Sequence, residues 1–246
     1  MQLQRKKGFY EKYIKRILDI FCSVCTIILF FWLYVIIAVL VRIKLGSPVL
    51  FKQPRPGMID LKTGKEKIFD MYKFRTMSDA RDANGNLLPD EERLGEFGKK
   101  LRATSLDEIP ELFNILKGDM SVIGPRPQLV RDMVFMTDQQ RMRHTAKPGL
   151  SGLAQVMGRN AISWDDKFKW DLQYIKNITF FGDVKIIWIT IKKVFIRSSI
   201  TESSEEIDLT LDYGDDLFKK GKISQVQYNK LQTFAKEIIY NHQIGK

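Results

Sequence analysis

The feature that most constrains this chain is an uncharged apolar run of 22 residues, from Ile20 to Val41. As an α-helix the run is about 33 Å long, which is enough to cross the hydrocarbon core of a bilayer. Its length, and the lack of a small-residue cleavage site after it, argue against a removable signal peptide. A buried helix of a soluble core is the alternative, but such long uncharged runs are rare there. The run therefore predicts a segment that inserts into a membrane.

Basic residues flank this run on both sides. Residues 1–19 carry six Lys and Arg against two acids, and residues 42–75 carry nine against three. The whole chain has a net charge of +11, which indicates an anionic partner such as a membrane surface, a nucleotide or a nucleic acid. No nucleic-acid motif with interleaved aromatic residues is present, so we do not expect nucleic acid as the partner.

Two adjacent carboxylates, Asp107 and Glu108, stand out within the segment Leu101–Pro127. Ser105, followed three residues later by Glu108, forms a capping-box pattern that predicts a helix start. Pro110 lacks a backbone donor, so this helix must kink or restart there. Carboxylates in a first helical turn face free N–H groups, which favours their ionised form and attracts phosphate or a metal-bound anion. A box that only caps a helix is the alternative.

Basic side chains surround this pair in the sequence. Arg102 precedes it, and Arg126 follows it within a rigid Gly-Pro-Arg-Pro turn, where a fixed guanidinium suits bidentate phosphate binding. Lys73 and Arg75 lie two residues apart on a predicted strand and so share one face. A solvated basic edge is the alternative for these two. We expect all four residues to contact phosphate.

The middle of the chain predicts an α/β domain. Residues 48–52 and 67–76 are predicted strands of a hairpin, and residues 120–123 form a further strand. The hairpin turn is expected to be long because it contains four turn-forming residues, Pro54, Pro56, Gly57 and Gly64. Residues 78–100 are polar and are predicted to form a surface excursion with a charged helix.

Glycines at 149, 152 and 158 surround three polar residues, Gln155, Arg159 and Asn160. Their spacing fits neither a P-loop nor a dinucleotide-binding fingerprint. Glycine does let a backbone approach a ligand closely. Gln155 and Arg159 are therefore further candidates for contact with a base or a phosphate.

The last third of the chain alternates helical and acidic segments. Residues 164–175 have helical spacing, and residues 183–197 form a basic amphipathic helix that either lies on a membrane or packs in the core. Residues 202–216 carry seven acids and no base, which is typical of a linker. We therefore divide the chain into a membrane segment (1–46), a main domain (47–200), an acidic linker (201–216) and a C-terminal helical hairpin (217–246).

Several strings together resemble the bacterial sugar transferases, the monotopic phosphoglycosyl transferases. The strings are LRATSLDEIPELFNILKGDMSVIGPRP at 101–127, FKQPRPG at 51–57, YKFRTMSD at 72–79 and RHTAKPGLSGLAQVMGRNAISW at 143–164. They occur in the family's order and span about residues 15–197. The resemblance implies a small monotopic α/β enzyme with a re-entrant N-terminal helix, a β-hairpin and packed helices.

The resemblance also implies the activity. The family transfers a phosphosugar from a UDP-sugar to polyprenyl (undecaprenyl) phosphate and releases UMP, at the cytoplasmic face of the bacterial inner membrane. Asp107 is then the nucleophile that forms an aspartyl-phosphosugar intermediate, with Glu108 as a Mg²⁺ ligand or a positioning group. Mg²⁺ held by Asp107 and Glu108 is the implied cofactor. The string at 159–164 is similar to that of enzymes that use acetamido-sugars.

The membrane segment departs from the family pattern. A Ser-Pro pair breaks the family's helix, whereas Phe31 and Trp32 occupy that place here. A straight helix would span the bilayer, but two basic flanks oppose the export of either end. Aromatic rings such as Trp32 and Tyr34 also favour interfaces over the bilayer centre. We therefore predict a re-entrant helix bent between Phe30 and Tyr34, with both ends cytoplasmic.

Two other interpretations are open at this point. A membrane-anchored basic scaffold would bind nucleic acid or lipid headgroups without catalysis, but it would leave the Asp-Glu pair without a role. A polytopic phosphoglycosyl transferase would need several membrane spans, and the sequence has one long apolar run. A homo-oligomer is compatible with either class.

Overall fold

The computed structural model describes residues 5–60, 62–158, 162–197 and 211–245. Within these ranges the chain has mixed helix and strand structure, with a β-hairpin and many helices, as the sequence predicts. The helices and strands are α1 (Lys15–Leu29), α2 (Phe31–Leu45), β1 (Leu50–Asp60), β2 (Lys65–Phe74), α3 (Asp90–Arg93), α4 (Glu96–Ala103), α5 (Glu111–Lys117), β3 (Ser121–Ile123), α6 (Val130–Met133), α7 (Asp138–Arg141), β4 (Gly149–Ser151), α8 (Leu153–Met157), α9 (Trp164–Lys176), α10 (Phe180–Arg197), α11 (Tyr213–Lys219) and α12 (Gln225–Ile244).

The apolar run folds as two helices, α1 and α2, that meet at Phe30. The backbone of Phe30 leaves helical geometry there, with φ −107° and ψ 17°. The helical segments Tyr10–Leu29 and Phe31–Leu45 are bent by 66°. In the described ranges no single helix is long and apolar enough to cross a membrane, whereas this bent pair meets both criteria together. The predicted bend is confirmed, and its re-entry into a membrane remains a prediction.

Packing against two different surfaces of the domain explains a bend that no proline produces. In α1, Ile27 packs on a buried cluster that includes Ile115 of α5. In α2, Ile37 and Val41 are buried against a second cluster that includes Phe74 at the end of β2. Since each half of the pair follows its own surface, tertiary contacts fix the change of direction.

Buried polar contacts fasten α1 to the domain. Lys15 Nζ lies 2.5 Å from Asp183 Oδ2 in α10, and the hydroxyl of Tyr10 donates to the same oxygen at 2.9 Å. Asp19 Oδ1 accepts from the hydroxyl of Ser121 at 2.9 Å. Because an unpaired buried charge is costly, these pairs hold one orientation of the helix.

Arg16 joins α1 to the last turn of α5. Its Nη1 donates to the carbonyl of Ile115 at 2.5 Å, and its Nη2 donates to the carbonyl of Leu116 at 2.8 Å. The Ile115 carbonyl also accepts from the Gly118 nitrogen at 3.0 Å, so Arg16 adds a second donor to it. A cation at this helix end also interacts favourably with the helix dipole. Arg16 is thus a C-terminal cap supplied by another helix.

The hairpin of β1 and β2 is longer than predicted, and its turn is shorter. The strands pair antiparallel from Leu50 with Phe74 to Asp60 with Lys65, with a register shift between Pro56 and Ile59. Pro54, Pro56 and Gly57 therefore lie within β1, and the prediction that they belong to the turn is wrong, whereas Gly64 lies in the turn as predicted. Each strand of a two-stranded sheet has a free edge, so a missing N–H on that edge costs no ladder hydrogen bond.

The second sheet of the domain is a parallel pair of strands. β3 pairs with β4 through Ser121 with Gly149 and Ile123 with Ser151. The predicted strand before the Gly-Pro-Arg-Pro turn is thereby confirmed. Ile123 belongs to a buried cluster with residues of α8, α9 and α10.

The basic helix α10 packs in the core, as one of its two interpretations predicts, and its contact with a membrane remains a prediction. Ile186 is buried in the main cluster. Four large apolar side chains at helical spacing are exposed on the other face, namely Phe181, Val184, Trp188 and Ile191. The helix therefore packs on the core and presents an apolar stripe outward.

The C-terminal hairpin packs on the main domain. Tyr213 is buried against Trp164 and Phe168, and Ala235 of α12 is buried with Val130 and Met133. The predicted capping box at Ser224 is confirmed. The first helix of the hairpin begins at Tyr213, four residues earlier than the predicted boundary at 217, so Asp215 and Asp216 are helical. Most of the predicted linker, residues 201–210, lies outside the described ranges.

Candidate active site

A large cleft of about 1520 Å³ opens between the hairpin, the start of α5, the β3–β4 pair and the helices α9 and α10. It is lined by Asp107, Glu108, Lys73, Arg75, Arg102, Arg126 and Gln155. Seven of the eight site residues predicted from the sequence thus meet in one cleft. The eighth, Arg159, lies outside the described residues, as does Asn160.

The acidic pair lies on a 3₁₀ turn, Leu106–Glu108, and not in the first turn of an α-helix. Ser105 has a left-handed backbone conformation, with φ +57°, and its side chain makes no capping hydrogen bond. The predicted capping box is therefore wrong, because an N-cap residue needs an extended backbone. The chain restarts as α5 after Pro110, which is one of the two outcomes expected from that proline.

Glu108 is held from two sides by cations. Lys73 Nζ donates to Glu108 Oε1 at 2.7 Å, and Arg126 Nη2 donates to the same oxygen at 2.6 Å. Burial alone would raise the pKa of Glu108, but the charges and hydrogen bonds of Arg126 and Lys73 outweigh it and hold the pKa well below its usual range. Glu108 is thus a fixed anion that orients two cations in the cleft.

Asp107 has different surroundings. Its side chain is buried at the cleft wall, and no described residue donates a hydrogen bond to its carboxylate. Burial raises the pKa of Asp107, and the positive charge of Lys73 opposes that rise only in part. The expectation that a first helical turn would favour the ionised form is wrong in its net direction, because no such turn is present.

Glu111 is a third carboxylate of this site, and the sequence analysis missed it. It is almost fully buried, and its Oε1 lies 3.3 Å from Lys73 Nζ. Burial, and then the negative charge of Glu108, raise the pKa of Glu111 above its ordinary value. The available signal was its position three residues after Glu108, since residues at that spacing share a helix face.

The other two arginines line the wall of the cleft. Arg102 donates from Nε to the hydroxyl of Thr76 at 3.0 Å. Arg75 donates to the carbonyl of Ser47 and to Asp79, both at 2.9 Å, and its buried Nε has no partner. Neither guanidinium contacts Asp107 or Glu108 directly, so both remain available to an anion in the cleft.

A buried ion pair supports the loop that carries Arg126. Arg143 donates to Asp171 Oδ2 through Nε at 2.9 Å and through Nη2 at 2.6 Å. The same Nη2 donates to the backbone carbonyl of Arg126 at 2.6 Å. Both members of the pair are fully buried, so the backbone of Arg126 is fixed from behind.

Glycines let the strand β4 and the start of α8 touch this loop. A Cβ added to Gly149 would lie 2.0 Å from the Gly124 nitrogen, and one added to Gly152 would lie 2.1 Å from the Gly124 oxygen. No larger residue fits at either position without moving the loop. Gln155, in the following turn, donates from Nε2 to the carbonyl of Leu150 at 3.3 Å.

A cleft that joins buried carboxylates to several lysines and arginines is the site of a phosphate-handling enzyme. The chain belongs to the bacterial sugar transferase family, whose model matches residues 10–197.

Similar curated proteins come from several bacteria. The chain is 46% identical over 195 residues to the uncharacterized sugar transferase EpsL of Bacillus subtilis, which covers 78% of this chain and 92% of that protein. It is 38% identical over 191 residues to a UDP-N-acetylgalactosamine-undecaprenyl-phosphate N-acetylgalactosaminephosphotransferase of Aeromonas hydrophila, covering 74% of this chain and 44% of that protein. It is 34% identical over 204 residues to an undecaprenyl-phosphate galactose phosphotransferase of Salmonella typhimurium, and the match covers 76% of this chain and 41% of that protein. The chain thus spans less than half of the last two relatives.

Proposed function

We propose that this protein transfers a sugar phosphate from a UDP-sugar to polyprenyl phosphate and releases UMP. The observation that carries the proposal is the pair of a buried Asp107 and a half-buried Glu108 at the wall of a cationic cleft. Relatives named as undecaprenyl-phosphate sugar phosphotransferases support the same reaction. A substrate with two phosphates requires several cations, and this cleft supplies them.

In this proposal Asp107 is the nucleophile and Glu108 is not. Glu108 is committed to Lys73 and Arg126, whereas the Asp107 carboxylate has no described donor. A carboxylate oxygen of Asp107 attacks the sugar-bearing phosphorus, and the bond from that phosphorus to the oxygen of UMP breaks. An oxygen of polyprenyl phosphate then attacks the same phosphorus and releases the Asp107 carboxylate.

The cations stabilise the charge that develops on the phosphate. Arg126 is fixed through its backbone by Arg143, and Lys73 is fixed between Glu108 and Glu111. Donors that are already in place need no reorganisation during transfer, which is the main advantage of such a site.

Mg²⁺ is a proposed cofactor of this reaction. In the described part of the chain no group of three or more His, Cys, Asp or Glu side chains is arranged to hold a metal. The pair of Asp107 and Glu108 nevertheless fits Mg²⁺, which prefers one or two carboxylates together with phosphate oxygens and waters. When bound, the ion neutralises charge on the phosphate that is attacked.

The protein is proposed to work at the cytoplasmic face of the bacterial inner membrane. Exposed apolar side chains on α1 and α2, among them Phe21, Ile28 and Trp32, suit contact with lipid. The cleft reaches Thr26 of α1 and Ile191 of α10, so a lipid-borne phosphate has a route from the bilayer to the carboxylates.

The transferred sugar is proposed to be an acetamido-sugar, because of the string at 159–164. The relatives carry the names of different sugars, including N-acetylgalactosamine, galactose and glucose. Rates with a panel of UDP-sugars measure the preference directly. A preference for UDP-glucose or UDP-galactose over acetamido-sugars would contradict this part of the proposal.

Substitution of Asp107 tests the reaction. The full-length protein in detergent, with Mg²⁺, UDP-sugar and polyprenyl phosphate, should release UMP, and Asp107→Asn should abolish that release without unfolding. Asp119→Asn, just beyond α5 and outside the cleft lining, is the matched control and should keep the wild-type rate. Without acceptor, mass spectrometry should find the phosphosugar on Asp107. Full activity in Asp107→Asn would contradict the mechanism.

The same assay distinguishes the proposed transferase from a membrane-anchored scaffold. A membrane-anchored binding protein would release no UMP from any UDP-sugar, with or without Mg²⁺. Such a result with a folded protein would favour binding without catalysis.

A further inference from the structure

Arg55 is a cation of the cleft that no sequence pattern singled out. It lines the cleft from β1, and it donates from Nη1 to the carbonyl of Pro127 at 3.1 Å and from Nη2 to the side chain of Gln53 at 2.6 Å. Each terminal nitrogen therefore keeps one N–H that is not committed to these partners. Among the described residues no carboxylate forms an ion pair with Arg55.

Lys167, on α9, is a second such cation. It extends from α9 into the cleft, with its Nζ 4.6 Å from the centre of the Trp164 ring. It too has no ion-pair partner among the residues that the structure describes. Lysine on an aromatic face without a carboxylate is ready to receive an anion.

Arg126 lies close enough to repel both of these cations. Burial and then the charge of Arg126 lower the pKa of Arg55 to about 10, although the charges of Glu111, Asp132 and Glu108 oppose the shift. Burial also lowers the pKa of Lys167, with Arg126 again acting in the same direction. Like charges gathered in this way are stabilised when an anion binds between them.

The nearby carboxylates do not cancel this charge by direct contact. Asp132 accepts from the backbone nitrogens of Leu129 and Tyr213, so both of its oxygens are committed. Asp171 binds Arg143 through one oxygen, and its other oxygen is buried without a hydrogen bond. Asp132 and Asp171 reduce the positive electrostatic potential at Lys167, but neither forms an ion pair with its ammonium group.

We propose that Arg55 and Lys167, which line the same cleft as Arg126, form a second phosphate subsite that binds the nucleoside-side phosphate of a nucleoside diphosphate sugar. The inference rests on the proposed function and extends it. Arg55 bonds the carbonyl of Pro127, next to Arg126, and Arg126 is bonded through one nitrogen to Glu108 beside Asp107, so Arg126 adjoins both subsites. The phosphate under attack lies on the side of Asp107, and the phosphate that leaves with the nucleoside lies on the side of Arg55 and Lys167.

Binding of inorganic diphosphate and of UDP to the full-length protein in detergent tests the subsite. Arg55→Gln and Lys167→Gln should each weaken binding of both probes about tenfold, as expected for loss of one hydrogen bond to a charged group. Lys169→Gln, an exposed lysine on the same helix, is the matched control and should bind as wild type. Arg55→Lys serves if Arg55→Gln fails to fold, because it keeps the charge and should recover part of the affinity.

Steady-state kinetics assign the subsite to one substrate. The KM for UDP-sugar should rise about tenfold in Lys167→Gln, while the KM for polyprenyl phosphate stays unchanged. A rise in the KM for polyprenyl phosphate instead would overturn the assignment to the donor. Wild-type affinity for inorganic diphosphate in Lys167→Gln would overturn the subsite itself, even if UMP release is observed. A protein that releases no UMP but loses diphosphate binding in these variants would refute the proposed reaction and keep the subsite.

Discussion

Asp107 and Glu108 are neighbours in the sequence, but the cleft gives them opposite surroundings. Glu108 accepts two charge-assisted hydrogen bonds on one oxygen, while Asp107 has none from any described residue. Burial therefore decides the pKa of Asp107, and two cations decide that of Glu108. The surroundings of the two carboxylates, more than their residue types, give them different pKa values and different proposed roles.

The geometry of Arg126 gives a first prediction at the residue scale. Arg126→Lys keeps the positive charge but loses the planar fork that reaches Glu108 and a phosphate together. We expect UMP release to fall at least tenfold, measured as initial rates in detergent. Arg131→Lys, an exposed arginine on α6, is the control and should keep the wild-type rate. A wild-type rate in Arg126→Lys would mean that charge alone matters.

The acid sensitivity of the fold follows from Glu66 and His144. Burial alone would raise the pKa of Glu66, but hydrogen bonds from His144 and Arg141 outweigh it and lower the pKa to about 2. A depressed carboxylate pKa adds stability above its unfolded pKa, and that stability is lost as the pH falls toward 2. Burial also lowers the pKa of His144, so the unfolded chain takes up that proton first, below about pH 6.5.

Glu66→Gln tests this pair. The free energy of unfolding at pH 7.5 should fall by about 3 kcal/mol, because the amide cannot form the ion pair with Arg141. The difference from the wild type should shrink as the pH falls from about 4.5 toward 2. Denaturant titrations between pH 7.5 and about pH 2.5 measure it. Glu91→Gln on the exposed helix α3 is the control, with no change expected. An equal loss of stability at about pH 2.5 and at pH 7.5 would show that the substitution acts through packing and not through charge.

The residues of the cleft differ in how far the sequence reveals them. Lys73, Asp107, Glu108 and Arg126 lie in compact strings, so their meeting in one site was predictable. Glu111 and Lys167 lie within segments whose helical pattern already accounts for them, and Arg55 lies in the stretch that is predicted as a turn. Only the direction of each side chain separates a site residue from a surface residue, and that direction depends on long-range packing.

Among the elements, the strand β3 and the helices α9 and α10 match their predictions, because apolar periodicity specifies them locally. The hairpin exists as predicted, but its strands are longer and its turn is shorter. The start of α5 does not, since Ser105 takes a left-handed conformation that a capping pattern cannot anticipate. Pro54 was placed in the turn because sequence alone does not show that a strand has a free edge. The bend at Phe30 was predictable from charge and aromatic position, but its cause is packing on two surfaces.

The orientation of the bent pair is testable by labelling. Single cysteines at Gly8 and Lys62, in a background with Cys22 and Cys25 changed to Ser, report the two flanks of the membrane segment. The side-chain position at Gly8 is open, with nothing within 4 Å of an added Cβ. Both cysteines should resist an impermeant maleimide in intact cells and react after lysis. Labelling at position 8 in intact cells would mean that the pair spans the bilayer.

At the scale of the whole molecule, the C-terminal hairpin stabilises the domain without lining the cleft. Among the residues that the structure describes, those that line the cleft extend no further along the chain than Lys193. Truncation after Ile200 should therefore keep transfer activity in detergent at low temperature. The same truncation exposes Trp164 and Phe168 and should lower the Tm by about 10 °C, as expected for loss of several kcal/mol of apolar burial.

Two tyrosines of the C-terminal hairpin, one buried and one exposed, test the same stabilisation by point substitution. Tyr213→Ala removes a ring that packs between Trp164 and Phe168, with centroid distances of 5.2 Å and 5.0 Å. Tyr240→Ala removes a ring of the same hairpin that is 62% exposed. Only the first should lower the Tm. Loss of activity in a truncated protein that is still folded would show that the hairpin completes the site.

The contact of Arg16 with the end of α5 links α1 to the acidic pair. The same short helix begins close to Asp107 and ends on the guanidinium of Arg16, so we expect it to transmit a tilt of a membrane-inserted α1 to the carboxylates. A thinner or thicker bilayer changes the tilt of an inserted helix at modest energetic cost. Transfer rates in vesicles should therefore vary with acyl-chain length. Arg16→Gln removes the charged contact with the end of α5, so it should reduce the dependence of the transfer rate on acyl-chain length.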